Sequence, residues 1–468
     1  MASQASAPAD LPNASGHVSF GTDGIRGRIG TELTPELALK VGYWCGQVLN
    51  GTGPVLIGMD SRCSGDMVAA ALAAGLTAAG REAWILGLCP TPAVPGLIRS
   101  VGAVGGLMVS ASHNPPEDNG IKVFGSDGAK LSEDRQGAIE AGLRGQTPAG
   151  HLLPVINSCG RAYPRPDLLS HYREGLLASV DGQRLDGMSI VLDLCWGSAT
   201  ACGAEVFQAL GADLTVLHGE PDGQRINVDC GSTHLEPLRQ AVIQQGASMG
   251  FAFDGDADRM LAVDGQGRVV DGDHVLYMWG SALQEEQGLP DQRLVATVMS
   301  NLGFERAWEG RGGILERTPV GDQHVHGAMV ASGAVLGGEQ SGHILSASNG
   351  LCGDGVLTAL QLAILCNARH LKLSEWRDQS FKSFPQKLVN VFVPDRSRRR
   401  DWRNCEALDA AVLAAEAAMG DQGRVLVRAS GTEPLLRVMV EAADQQMVED
   451  WTAKLSALAD EHLNPASA

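Results

Sequence analysis

The sequence has no uninterrupted apolar run of about 18 residues, so no membrane-spanning helix is expected. Its 10 cysteines are scattered without a C-x-x-C pair. Neither a zinc site nor a disulfide framework is therefore indicated, and reduced thiols in a cytoplasmic protein are the default. Aromatic residues are only 4% of the chain, and 36 Lys plus Arg are outnumbered by 54 Asp plus Glu, a net charge of −18. With no basic stripe interleaved with aromatics, nucleic acid is excluded as a partner. The arginines at 396, 398, 399, 400 and 403 read as a solvated linker. A small anionic ligand, held by a few placed cations, stays compatible with this charge. Residues 1–17 are rich in Ala, Ser and Pro and carry neither a basic nor an apolar segment. They read as a disordered tail rather than a signal peptide.

What is abundant is glycine, 59 of 468 residues, almost twice the average share. No Gly-X-Y period accompanies it, so the excess implies turns and loops where backbone approaches a ligand. At about 150 residues per domain the length gives roughly three domains, with four within the scatter. Helical stretches alternate with short apolar strands, the α/β pattern. A helix, a Gly and a strand recur at Gly80, Gly211 and Gly333, suggesting three similar α/β domains. Beyond Pro385 the order becomes strand, basic linker, Ala-rich helix, two strands and a final helix, a smaller α+β unit. The expected domains are 18–165, 166–265, 266–380 and 381–468.

Several segments can carry chemistry. Asp254, Asp256 and Asp258 alternate after the apolar strand Met249–Phe253, a spacing that converges carboxylates on one hard cation. An EF-hand is excluded, because Arg259 and Gly265 occupy the positions that need Gly and Glu. Ser112 and His113 lie on a Pro/Gly-shaped loop after a strand, where a serine can be a positioned nucleophile. A hydrogen-bonded dyad between adjacent residues is disfavoured, and with it a serine hydrolase. Gly246–Gly250 matches G-x-S-x-G, but a helix precedes it and a strand follows, the reverse of a nucleophile elbow. In Gly337–His343, glycines flank Glu339, Ser341 and His343, which suit sugar hydroxyls or proton transfer. Arg428, Ser430, Gly431, Thr432 and Arg437 form a hydroxyl-rich Gly loop bracketed by arginines, a cradle for an anion.

Taken in order, these loops resemble the α-D-phosphohexomutase family: FGTDGIRG at 20–27, SASHNP at 110–115, DGDADR at 254–259, GEQSGH at 338–343 and RASGTEPLLR at 428–437. VMSNLG at 298–303 and VDGD at 270–273 add to the likeness. The resemblance implies three similar α/β domains and a smaller fourth around a central cleft. It implies that Ser112 is carried as phosphoserine and, with Asp254, Asp256 and Asp258, holds one Mg²⁺ per active site. Glu339 and Ser341 would grip the sugar, and Arg428, Ser430, Gly431, Thr432 and Arg437 its non-reacting phosphate. Arg26, His113, Lys122 and Arg259 would line the reacting end, with His343 or Lys122 as general base.

The implied reaction interconverts glucosamine 6-phosphate and glucosamine 1-phosphate through a hexosamine 1,6-bisphosphate, feeding UDP-N-acetylglucosamine and cell-wall precursors. Mannose or glucose phosphates are the alternative substrates; a non-catalytic phosphosugar binder and a phosphatase are the competing classes. The implied partner is a small phosphosugar, with no nucleic acid or membrane, on a monomer or homodimer. Two departures stand out. Gln323 replaces the Arg-Tyr usual after Asp322, removing a cation near the sugar loop, and Cys195-Trp196-Gly197 stands where Ala-Asn-Gly is usual.

Overall fold

The computed structural model describes residues 19–21, 23–146, 158–350, 352–430 and 433–464. The expected tail at 1–17, with Gly431 and Thr432, therefore lies outside the described residues. The first sheet contains β1 (Ile25–Arg28), β2 (Val55–Met59), β3 (Ala83–Leu88), β4 (Gly105–Val109), β5 (Asp118–Gly125) and β6 (Ala162–Pro164), in the order β1-β5-β4-β2-β3-β6. The second contains β7 (Ser189–Asp193), β8 (Asp213–Leu217), β9 (Met249–Phe253), β10 (Met260–Asp264) and β11 (Val269–Val270), ordered β11-β10-β9-β7-β8. The third contains β12 (Arg293–Thr297), β13 (Ile314–Thr318), β14 (Leu336–Gly338) and β15 (Ile344–Ser346), ordered β13-β12-β14-β15.

One pattern underlies all three. Parallel strands β3-β2-β4, β8-β7-β9 and β13-β12-β14 each end in an antiparallel neighbour, β5, β10 or β15. The helix–Gly–strand echo is real but denser than the sequence suggested. Each unit has two such steps, at Gly80 and Gly102, Gly211 and Gly246, and Gly312 and Gly333, all with positive φ. Gly333 therefore corresponds to Gly102 and Gly246, not to Gly80 and Gly211. The out-of-register match arose because both steps use the same left-handed helix end.

The fourth sheet, β16 (Gln386–Phe392), β17 (Gly423–Ala429) and β18 (Leu435–Ala442), is antiparallel in the order β16-β18-β17. The helices Glu406–Met419 and Gln445–Leu463 pack on it. The arginine-rich segment is not a solvated linker throughout. Arg396–Arg400 is a short helix, and Arg399 turns inward, donating to the carbonyls of Val393 and Pro394. The expected division at 265 cuts a hairpin, because β11 pairs back onto β10. Buried side chains of the second and third units, such as Phe251, Phe253, Leu276 and Leu294, form one continuous core. No helix among the described residues is long and apolar enough to cross a membrane.

Charged groups fasten the fourth unit to the third. Glu441 is fully buried; its Oε2 is 2.6 Å from Arg424 Nε, and its Oε1 accepts from Leu302 N at 2.8 Å. Arg424 also donates to the carbonyls of Val298 and Ser300, and Asn301 exchanges hydrogen bonds with the backbone of Phe384. The VMSNLG segment thus serves as a docking seat for the fourth unit. Glu441→Gln removes the charge but keeps the shape. We expect it to cost about 2 kcal/mol, read as a lower denaturation midpoint with earlier proteolytic release of residues beyond 385.

Candidate active site

The loops that carry the chemistry occupy one topological position. Ser112 lies between β4 and β5, the three aspartates between β9 and β10, and Glu339–His343 between β14 and β15. Each loop leaves the carboxyl end of a parallel strand, where open α/β sheets bind ligands. The expected phosphate cradle lies between β17 and β18.

Ser112 is fully buried and holds φ +53°, a left-handed conformation unusual for a side chain with Cβ. Its Oγ donates to Asp254 Oδ2 at 2.6 Å, and its N–H donates to Ser110 Oγ at 2.8 Å. Arg62 and Asp60, which sequence reasoning missed, brace the loop from below. Arg62 is buried, pairs with Asp60 at 3.1 Å, and donates to the carbonyls of Ser112, Asn114 and Asp118 at 3.0, 2.7 and 2.8 Å. Asn227, from the second unit, donates to the carbonyls of Ser112 and Asn114 at 2.8 and 2.9 Å. The available signal was Asp60-Ser61-Arg62, a polar triplet directly after the apolar β2.

Asp254, Asp256 and Asp258 are buried, with ligand oxygens within 4.8 Å of one another. Burial, then Asp258 and Asp256, pushes the Asp254 carboxyl well above the usual range. Burial also raises Asp258, but Lys122, His343 and Arg259 outweigh it and hold that carboxyl well below the usual range. Asp256 is fixed to the first unit: its Oδ2 accepts from Thr91 Oγ1 at 2.5 Å and its carbonyl from Thr91 N at 2.8 Å. Asp256 Oδ1 and Asp258 Oδ1 are buried without a hydrogen-bond partner. Converging oxygen donors with unspent lone pairs fit a small hard cation.

A ring of cations faces these carboxylates. Lys122 Nζ lies 2.6 Å from Asp258, 2.8 Å from Asp256 and 3.1 Å from Asp23. Burial lowers its pKa, and these carboxylates more than reverse that, raising it well above the ordinary lysine value. Asp23, also missed, pairs with Lys122, Arg26 and Lys130. His343 lies 3.5 Å from both Asp258 and Asp322. Burial opposes its charge, but the two carboxylates raise its pKa to about 10. Neighbouring carboxylates thus favour the charged form of both candidate bases, Lys122 and His343.

His113 is the opposite case: desolvation, then Arg259 and Arg26, lowers it to about 4. Its Nδ1 lies 3.1 Å from Arg259 Nη1 and 3.3 Å from Ser112 Oγ. Arg259 thus satisfies that nitrogen and Asp254 takes the serine proton, so no Ser–His dyad forms.

On the far side, Glu339 Oε1 accepts from Gly321 N at 3.1 Å, and Ser341 Oγ lies 3.4 Å from Glu339 Oε2. The loop is pressed onto its neighbours at Gly272, where a Cβ would collide with the Glu339 carbonyl, and at Gly342, where it would meet Met260. Beside the Gln323 departure, Lys130 enters from the first unit and lies 2.6 Å from Asp322. The cation lacking at 323 is thus matched by one from another domain, lining the same cavity as Gln323, His324 and His326.

In the fourth unit Arg428 and Arg437 are directly opposite across β17 and β18. Like charges in that position are destabilising unless an anion joins them. Desolvation, then Arg437, depresses Arg428, while Glu339 across the cleft supports its charge. Arg437 Nε is buried without a hydrogen-bond partner, and Ser430 is buried beside the pair.

Four phosphoglucomutase/phosphomannomutase family models match in succession: α/β/α domain I at 17–149, domain II at 170–267, domain III at 271–384 and the C-terminal domain at 388–458. A phosphoglucosamine mutase of Prochlorococcus marinus (strain MIT 9303) is 76% identical over 457 residues, covering 98% of each chain. A phosphoglucomutase/phosphomannomutase family protein from Burkholderia thailandensis superposes with a TM-score of 0.80 at 22% identity, over 97% of this chain and 99% of that one. An Aspergillus fumigatus N-acetylphosphoglucosamine mutase, in complex with GlcNAc-6P and magnesium, gives 0.68 at 17% identity, over 96% and 97%. With its loops at equivalent strand ends and all four domains matched in order, the chain belongs to the phosphoglucomutase/phosphomannomutase family, the α-D-phosphohexomutases, and is an isomerase.

Proposed function

We propose that the chain is a phosphoglucosamine mutase, interconverting glucosamine 6-phosphate and glucosamine 1-phosphate through phosphorylated Ser112 and a 1,6-bisphosphate. The carrying observation is Ser112 Oγ, 2.6 Å from Asp254 within a triad whose other members have unpartnered buried oxygens. That closeness supports reading Ser112 as the nucleophile beside a hard-cation site. The amino-sugar choice is supported by the name of the relative at 76% identity over nearly the whole chain. The proposed setting is the cytoplasm, upstream of UDP-N-acetylglucosamine and cell-wall precursors.

Asp254, Asp256, Asp258 and the Ser112 phosphate would hold Mg²⁺, which when bound offsets charge on the transferring oxygens. The bond between Ser112 Oγ and phosphorus breaks as one forms to the substrate's free hydroxyl, whose proton leaves to a base. Lys122, Arg26 and Arg259 stabilise the negative charge spread over the moving group. Glu339 and Ser341 hold sugar hydroxyls, while Arg428, Ser430, Gly431, Thr432 and Arg437 hold the phosphate that does not react. The bisphosphate then turns over, presenting its other phosphate to Ser112. One cradle serves both orientations, since either end of the intermediate carries a phosphate.

Arg428→Ala or Arg437→Ala should raise KM about 10–100-fold, the loss of one charge-assisted contact. The drop in kcat should be smaller, because the reacting end is untouched. The substrate assignment is tested with Mg²⁺ and a trace of 1,6-bisphosphate, following each hexose phosphate separately. Glucosamine phosphates should equilibrate fastest. Inert glucosamine phosphates beside rapid mannose or glucose phosphate turnover would overturn the assignment, and net release of inorganic phosphate would mark a phosphatase.

A further inference from the structure

The departure at Cys195-Trp196 lies behind the Ser112 loop, and its surroundings carry chemistry of their own. Cys195 Sγ and Cys230 Sγ, both fully buried, are 3.8 Å apart and share a hydrogen bond. Asp193 gathers the segments around them, accepting from Cys195 N at 3.0 Å, Gly231 N at 2.9 Å and His218 Nδ1 at 2.8 Å. Gly231, at φ +68°, lets the thiol in, because a Cβ there would collide with Cys195 Sγ. Cys195 Sγ also donates to Asn227 Oδ1 at 3.2 Å. The same Asn227 side chain, through Nδ2, holds the carbonyls of Ser112 and Asn114.

We propose that Cys195 and Cys230 are an oxidisable pair, converted to a disulfide by hydrogen peroxide, and that the disulfide slows catalysis by releasing Asn227 from the Ser112 loop. Cys230 thiolate attacks peroxide; the S–O bond forms, the O–O bond breaks, and hydroxide leaves as water. Cys195 then attacks the sulfenic sulfur; the S–S bond forms and a second water carries off the oxygen. Two thiols and one peroxide thus give one disulfide and two waters. Cys230, whose Sγ donates to Cys195 Sγ and which directly follows the exposed Val228 and Asp229, is the thiol nearer the entry point and so the attacking group.

Closing 3.8 Å to a bond of about 2.05 Å moves the sulfurs together and removes the proton Cys195 gives Asn227. The carboxamide then loses the contact that orients it towards Ser112. Burial of both thiols selects a water-sized oxidant over a protein disulfide, and the exposed Val228 and Asp229 just before Cys230 give it an entry point. A metal is the weaker occupant. Asp193, His218 and Cys230 lie within reach of one ion, but both Asp193 oxygens already accept backbone or imidazole hydrogens.

The full chain is treated with hydrogen peroxide and digested with trypsin without reduction. Cleavage after Arg184, Arg225 and Arg239 places the two cysteines on separate peptides, 185–225 and 226–239. A species joining them is expected, with Cys195 rather than Cys202 as the linked residue by fragmentation. Turnover should fall about tenfold with the linkage, the scale of a sub-ångström displacement of a nucleophile, and return with dithiothreitol. Cys195→Ser and Cys230→Ser should keep basal turnover and resist peroxide. Failure to form the linkage, equal peroxide sensitivity in both variants, or one zinc per purified chain shielding both thiols overturns the proposal. Linkage with full activity overturns the coupling to Ser112. The activity arm rests on the mutase reading, whereas the linkage is read by mass and holds for any sugar substrate.

Discussion

Ser112→Ala should abolish mutase turnover, by roughly 10⁴-fold or more, because it removes the hydroxyl proposed to carry the phosphoryl group. The serine is fully buried on a left-handed backbone, with its oxygen committed to Asp254 at 2.6 Å. The variant keeps the braces from Arg62 and Asn227, which bond the carbonyl of residue 112 and not its side chain. Its fold and its affinity for a hexosamine phosphate should therefore survive, and calorimetric titration beside a turnover assay separates the two effects. Intact mass supplies the complement. Wild-type protein incubated with the 1,6-bisphosphate should gain one phosphoryl group, about 80 mass units, and the variant none. Turnover preserved in the variant would remove Ser112 from the mechanism.

Lys122→Met carries the second large effect, on stability as well as rate. It leaves Asp23, Asp256 and Asp258 facing one another without the ammonium now 2.6 to 3.1 Å away. Removing one member of a buried ionic cluster costs about 3–5 kcal/mol, read as a fall in the denaturation midpoint. Millimolar Mg²⁺ should recover part of that loss and raise the variant's midpoint more than the wild type's, since the cation would replace the missing charge. Turnover should drop about 10²–10³-fold with the lost transition-state contact.

The pH dependence follows from the same charges. Asp23 and Asp258 are held below the ordinary carboxylate range, despite burial, by Lys122 and its neighbours. Their contribution is complete above pH about 4 and disappears as the pH falls further. Lys122, raised above its ordinary value, contributes below pH about 10.5 and loses that contribution above it. The variant should therefore show a shallower acid limb. A midpoint unchanged by the substitution, with or without Mg²⁺, would contradict this reading of the cluster.

Much of this was legible in the sequence, for identifiable reasons. Alternate aspartates after an apolar strand pointed to convergence on a cation, and Arg428 and Arg437 bracketing a short Gly loop pointed to an anion; the strand register then sets those two arginines opposite each other. The Ala-rich helix expected beyond Pro385 and the strand expected after Gly211 are both present, at Glu406–Met419 and Asp213–Leu217. What was hidden depended on contacts between distant segments. Arg62 and Asn227 meet Ser112 from 50 and 115 residues away, and Lys130 reaches Asp322 across 192. Arg399 read as one more solvated charge because nothing local shows that its guanidinium turns inward onto two carbonyls. The bracing residues have ordinary polar neighbours in sequence; only the fold gives them a purpose.

The Ser112, Asp254 and Glu339 loops share one placement in three separate sheets. Each occupies the same turn in its unit, between the third parallel strand and its antiparallel neighbour. A strand pattern repeated three times thus offers three equivalent loop positions, each at the carboxyl end of a parallel strand. In the proposed mechanism one unit would carry the nucleophile, one the cation seat and one the sugar grip, so that each loop can differ in chemistry while its supporting strands stay alike.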